Sequence, residues 1–179
     1  TASSLTRKLH DLILSQAGQL VDICNRIGSK YGIPITNKRL SISPVSDILA
    51  GHGPAVAMAV ARTLDEAAAE CGIDLVGGFT ALVQKGITRA DALVMESLPD
   101  VLSATSRVCS SVQVASRRAG INMDAVARMG YIVPAIAQAT SAQNGFGAAK
   151  LVIFANIPED NPFMAGSYMG AGEPDCTIN

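Results

Sequence analysis

Lys150-Leu151-Val152-Ile153-Phe154-Ala155 runs straight into Asn156-Ile157-Pro158-Glu159-Asp160-Asn161. A short apolar, β-branched run that stops at a polar loop reads as a buried strand opening onto a site. The polar stretch continues to Asp175, with Glu159, Asp160, Glu173 and Asp175 as carboxylates and glycines at Gly166, Gly170 and Gly172. An ordinary connection takes about 4–6 residues, so a loop this long points to function.

Outward from this strand the same grammar repeats. Residues 37–43, 73–79 and 107–114 read as further strands, and 175–178 as a fifth. Between them lie helical patterns. One long helix, capped by Ser3 or Ser4, carries Leu5, Leu9, Leu12, Ile13, Leu20, Ile23 and Ile27 and stops at Gly32-Ile33-Pro34. A second starts at Pro54 and ends near Cys71. A third runs from Thr88 to Thr105 with an interruption expected at Pro99. A fourth is capped by Asn122, with Pro134 expected to bend or split it. Strands alternating with helices predict an α/β domain of five mostly parallel strands joined by crossover helices. Two architectures fit: an open doubly wound sheet, or about half of a closed α/β barrel. The first strand is not followed by GxGxxG, and the chain has no GxxxxGK[ST]. In both architectures ligands gather at the carboxyl ends of the strands.

Composition narrows the class. The 179 residues are expected to form one domain, 1–179. Hydrophobic residues make up 49%, charged residues 16% and aromatics 4%, so the core is built from Ala, Val, Ile and Leu. A mean hydropathy of +0.31 means a large interior or an apolar surface that meets a partner, which makes a homo-oligomer the expectation. A net charge of −1 leaves no basic surplus for nucleic acid. No apolar run approaches the ~18 residues of a membrane span, and no signal peptide is visible. Cys24, Cys71, Cys109 and Cys176 are widely spaced, which excludes a CxxC metal cage and points to buried thiols in a reducing, cytoplasmic setting.

Five places can carry chemistry. Lys38 and Arg39 enter the first strand; they are either solvated or an anion clamp, since arginine offers a planar fork to carboxylate or phosphate. Gly77-Gly78 lets a backbone bind an anion or make a tight turn, with Lys85 as a possible completing cation. In Val108-Cys109-Ser110-Ser111-Val112, alternation puts Cys109 and Ser111 on one face and Ser110 on the other. A thiol on a cavity face is a candidate nucleophile, or simply a close-packed side chain. Asn122 reads as a helix cap. In the long loop, Asn156 and Asn161 are candidate binding amides, and Glu159 and Asp160 are candidate acid and base. Oxygen ligands at this density also suit Mg²⁺ or Ca²⁺, although the spacing matches no EF-hand, so no metal residue is assigned. His10 and His52 support no catalytic triad.

The strings Gly32-Ile33-Pro34-Ile35-Thr36-Asn37-Lys38-Arg39, Gly77-Gly78-Phe79-Thr80-Ala81-Leu82-Val83-Gln84-Lys85-Gly86, Val108-Cys109-Ser110-Ser111-Val112, Gly120-Ile121-Asn122-Met123 and Asp160-Asn161-Pro162-Phe163-Met164-Ala165-Gly166 occur in this order. Together they resemble the uncharacterised protein family number two hundred and ten, the PFL-like family, over essentially the whole chain. The resemblance implies a ten-stranded α/β barrel like that of pyruvate formate-lyase, made of two five-stranded halves. The five strands here correspond to one half, so the chain is expected to be an internal part of a longer member. No reaction follows from the resemblance. Glycyl-radical enzymes need a radical glycine in a C-terminal segment, which would fall beyond Asn179, and Cys109 is not equated with their finger-loop cysteine. Glycyl-radical chemistry is therefore not supported by this chain.

The expected function is an enzyme domain, lyase- or transferase-like, acting on a small anionic metabolite in a barrel cavity. Lys38, Arg39 and Lys85 would orient the anion, Cys109 and Ser111 would face the cavity, and Glu159 or Asp160 would handle protons. The alternatives are a metabolite-sensing protein without catalysis, and a module that docks the remaining half-barrel or a second chain.

Overall fold

A computed structural model describes residues 2–160, 166–170 and 172. Its centre is a five-stranded sheet of β1 (Arg39–Ser41), β2 (Leu75–Leu82), β3 (Val108–Ser116), β4 (Gly120–Ile121) and β5 (Leu151–Ala155). β1 pairs with β2, β2 with β3 and β3 with β5, all parallel. β4 alone is antiparallel: it folds back on the end of β3, Ile121 opposite Ala115. The fold is α/β with a mostly parallel sheet, as expected. The four parallel strands lie side by side in chain order. The strand expected at 175–178 lies outside the described residues, and the fifth strand found is β4, whose two residues are too few to show alternation.

Seven α-helices accompany the sheet among the described residues: α1 (Ala2–Ala17), α2 (Leu20–Tyr31), α3 (Val45–Ile48), α4 (Pro54–Glu70), α5 (Arg89–Ala104), α6 (Met123–Ala139) and α7 (Phe146–Ala149). α4 begins on Pro54 and buries Ala57, Val60, Ala61, Leu64, Ala67 and Ala68 completely. α5 starts with a capping box: the Asp91 N–H donates to Thr88 Oγ1 at 3.1 Å, and the Thr88 N–H donates to Asp91 Oδ2 at 3.0 Å. Asn122 caps α6 by accepting from the Ala125 N–H at 3.2 Å. Its Nδ2 also donates to the Val83 carbonyl at 2.6 Å, tying α6 to the end of β2.

Two helix expectations change. The first helix is two, because the chain turns at Gly18, where a Cβ would stand 2.5 Å from the Leu14 carbonyl oxygen. α5 runs through Pro99 without a break. A proline inside a helix costs about 3 kcal/mol or more. α5 buries Val94, Met95, Leu98, Val101 and Leu102, each contributing ~1.5–3 kcal/mol, so packing outweighs the lost hydrogen bond. Of the two outcomes expected at Pro134, a bend or a split, the split does not occur: α6 is one helix through it.

The core lies on one side of the sheet. Leu40, Val76, Phe79, Ala81, Val108 and Val112 pack with side chains of α1, α4, α5 and α6. Simple alternation would not put both Val76 and Phe79 on that side. The register shifts between Val76 opposite Val108 and Phe79 opposite Ser110, so β2 holds one extra residue there. Gly78 takes φ +105°, and a Cβ on it would run into Ile42. The Gly77-Gly78 pair is therefore a bulge that turns Phe79 back to the core. No helix among the described residues is long and apolar enough to cross a membrane.

Candidate functional site

The other side of the sheet is polar. Register and alternation put Arg39 and Ser41 of β1, Gly77 and Thr80 of β2, and Cys109, Ser111 and Gln113 of β3 on this face, with Val152 and Phe154 of β5 beside them. The placement of Cys109 and Ser111 together, with Ser110 opposite, follows the sequence expectation. Ser110 donates to the Phe79 carbonyl at 2.6 Å. Thr80 and Ser111 satisfy each other through a hydroxyl–hydroxyl hydrogen bond of 2.7 Å, and both are buried.

Two polar atoms on this face stay unsatisfied. Arg39 Nε and Gln113 Oε1 are buried and have no hydrogen-bond partner among the described residues. Each such atom is costly to keep dry and unpaired.

Cys109 is 1% exposed, and its thiol donates a long 3.7 Å hydrogen bond to the Arg107 carbonyl. Burial pushes it up to about 11, and the positive charges of Lys150 and Arg39 offset only part of that. At neutral pH it is a protonated thiol. Lys150 is itself buried, and its ammonium donates to the carbonyls of Leu102 at 2.8 Å and Thr105 at 2.5 Å. A cation at the carboxyl end of α5 meets unpaired carbonyls and the favourable end of the helix dipole.

Residues 166–170, returning after β5, lie across the polar face. The Met169 N–H donates to the Ile42 carbonyl at 3.0 Å, and the Ser167 and Ser41 hydroxyls are hydrogen-bonded. Gly166 stands against Phe154 and Val152, and Gly77 against Ser167, so close that neither has room for a Cβ. Glu159 and Asp160 are held against it. The Asp160 N–H donates to the Tyr168 carbonyl at 3.2 Å, and Asp160 Oδ1 accepts from the Gly170 N–H at 2.8 Å. Tyr168 is 3% exposed, and burial, then the charges of Glu159 and Asp160, push its phenol up.

The residues singled out in the sequence thus fall in separate places. Arg39, Gly77, Cys109 and Ser111 share the polar face, and Glu159 and Asp160 are held against the segment that returns over it. Lys38 stands at the amino end of β1, where its ammonium donates to the Ile35 carbonyl at 2.9 Å and its N–H to Asp74 Oδ2 at 2.8 Å. Lys85 is beyond the carboxyl end of β2, in a groove described below. Asn156 has φ +59° and accepts from the Arg117 N–H at 3.0 Å, holding the end of β3. Asn161 lies outside the described residues, as do Glu173 and Asp175. Among the described residues no group of three or more His, Cys, Asp or Glu side chains is gathered for a metal ion. Thr80, Gln113, Ser41 and Tyr168 carry no motif that singles them out in the sequence. The first two were findable, because strand alternation puts them on the face of Ser111.

The whole chain, residues 1–179, matches the family described as Uncharacterised ACR (DUF711). It is 52% identical to a UPF0210 protein of Desulfovibrio desulfuricans, over 97% of this chain and 38% of that protein. It is 52% identical to the UPF0210 protein of Desulforudis audaxviator, over 96% and 38%. It is 50% identical to the UPF0210 protein of Methanosarcina acetivorans, over 96% and 37%. The chain spans well under half the length of these curated relatives.

Proposed function

The chain belongs to the uncharacterised DUF711 family, whose curated members carry the name UPF0210 protein, and from that premise we propose that it forms part of a barrel whose polar inner face holds a small anionic metabolite. Four parallel strands in chain order, with one face packed on helices, support half of a PFL-like barrel. A doubly wound sheet reverses its strand order at a switch point, and these strands do not. The remaining length of the protein would close the barrel over the polar face.

The observation that carries the reading is Arg39 Nε, without a hydrogen-bond partner among the described residues, on the same face as the buried hydroxyls and thiol. A guanidinium N–H suits a carboxylate or phosphate. Gln113 Oε1 would accept from a hydroxyl or amide of the same ligand. Cys109 and Ser111 would line the cavity, with Glu159 or Asp160 serving proton transfer across Tyr168. Free Cys24, Cys71 and Cys109 accord with a cytoplasmic setting.

A second reading is sensing without conversion. It is favoured by the protonated state of Cys109 and by the mutual hydrogen bond of Ser111 and Thr80, which leave neither group prepared as a nucleophile. Thermal shift of the full-length protein with pyruvate, oxalate, acetate and inorganic phosphate tests the shared claim. At least one anion should raise Tm for the wild type and fail to do so for Arg39→Gln. No anion-dependent shift, or an equal one in the variant, sinks it. Product analysis of the stabilising anion then separates conversion from sensing.

A further inference from the structure

A groove of about 710 Å³ opens at the carboxyl end of β2, between the turn Gln84–Ile87 and the β4–α6 region, away from the polar sheet face. We propose that it binds an α-amino acid with an apolar side chain. Two of the groove's three charged groups stand unpaired: among the described residues neither Lys85 nor Asp124 is in an ion pair. Its other charged group, Arg128, is engaged by Glu96 at 3.6 Å.

A ligand carrying an ammonium and a carboxylate answers both charges: its carboxylate pairs with Lys85, and its ammonium donates to Asp124. A phosphate or dicarboxylate fits less well, because the Asp124 carboxylate repels a second negative charge. The remaining wall includes Ile87, Ala119, Ile121 and Ala127, against which an apolar side chain would lie. The volume lies within the range of small-molecule sites, about 300–1,000 Å³. The wall is fixed, since Asn122 spends both ends of its amide on the Val83 carbonyl and the Ala125 N–H. This site is independent of the anion proposed for the sheet face.

Isothermal titration of the full-length protein with L-leucine, L-methionine and L-phenylalanine tests it. At least one is expected to bind, while its N-acetyl and carboxamide derivatives, each lacking one charge, are not. Lys85→Gln and Asp124→Asn should each weaken binding about tenfold or more, the effect of losing one charge-assisted hydrogen bond. Arg39→Gln should leave it unchanged, and circular dichroism verifies that the variants are folded. Absence of heat with all three amino acids, or unchanged affinity in Lys85→Gln and Asp124→Asn, overturns the site. A loss confined to Arg39→Gln moves the ligand to the sheet face and overturns it equally.

Discussion

Gly77 lies directly under Ser167: a Cβ at Gly77 would stand 2.5 Å from the Ser167 carbonyl oxygen and 3.0 Å from its hydroxyl. The returning segment can rest on the sheet only because β2 has no side chain there. Gly77→Ala must therefore push the segment off or bend the strand, at a cost of about 1–3 kcal/mol. The expected result is a lower urea midpoint together with faster chymotryptic cleavage at Tyr168. Gly130→Ala is the control. It sits in helix α6 with nothing within 4 Å of the added Cβ, so it should stabilise by about 0.5–1 kcal/mol. Equal behaviour of the two variants would show that Ser167 does not rest on Gly77.

Lys150 ties β5 to the end of α5. Replacing it with Met keeps most of the stem but leaves the Leu102 and Thr105 carbonyls without their donor. Relief of the charge's desolvation offsets part of that loss, since burial already pulls the ammonium's pKa down. The net expectation is a destabilisation of about 2 kcal/mol, read from denaturant unfolding. A neutral or stabilising Lys150→Met would mean that the buried cation contributes nothing to holding α5 and β5 together.

Cys109 makes stability fall at high pH. Its thiol is raised from the ordinary 9.0 to about 11 in the folded chain, so above pH 9 the unfolded state loses a proton that the folded state keeps. The contribution is complete below the unfolded value and is lost as pH rises through the folded one. Over that window it amounts to about 2 kcal/mol. Tyr168, also raised, acts in the same direction, so the comparison must be with Cys109→Ala rather than with a flat baseline. Unfolding free energy should drop more steeply for the wild type than for Cys109→Ala between about pH 8.5 and pH 11. Parallel curves would refute the assignment.

The parallel strands were legible because each is a run of β-branched or small residues bounded by glycine, proline or polar residues, as at Leu75–Leu82 and Leu151–Ala155. β4 was not, since Gly120-Ile121 is held by pairing with Ala115 and Ser116, a contact between neighbours that no periodicity announces. The continuity of α5 through Pro99 was hidden for a similar reason: its burial against α4 and β2 is tertiary. At the site, alternation located Cys109 and Ser111 on one face. It did not show that Lys38 would spend its ammonium on the Ile35 carbonyl, or that Lys85 would sit in a separate groove, because loop side chains carry no period. The bulge at Gly77-Gly78 was visible only as two glycines, and its purpose depends on the cross-strand register with β3.

The Thr80–Ser111 pair offers a test of whether the polar face is built for a ligand. Both hydroxyls are buried, and each is the other's partner at 2.7 Å. Ser111→Ala leaves the Thr80 hydroxyl dry and unpaired, and Thr80→Val does the same to Ser111, so each single variant should cost about 1–3 kcal/mol. The double variant removes both polar groups and should cost less than the sum of the singles, with a coupling of about 0.5–3 kcal/mol in a double-mutant cycle. Additive costs would mean that the two hydroxyls do not depend on each other. If the pair serves only the sheet, the double variant, once folded, keeps the anion-induced rise in Tm proposed for Arg39. If the pair opens to meet a ligand, the double variant folds and loses that rise, which places Ser111 among the binding groups.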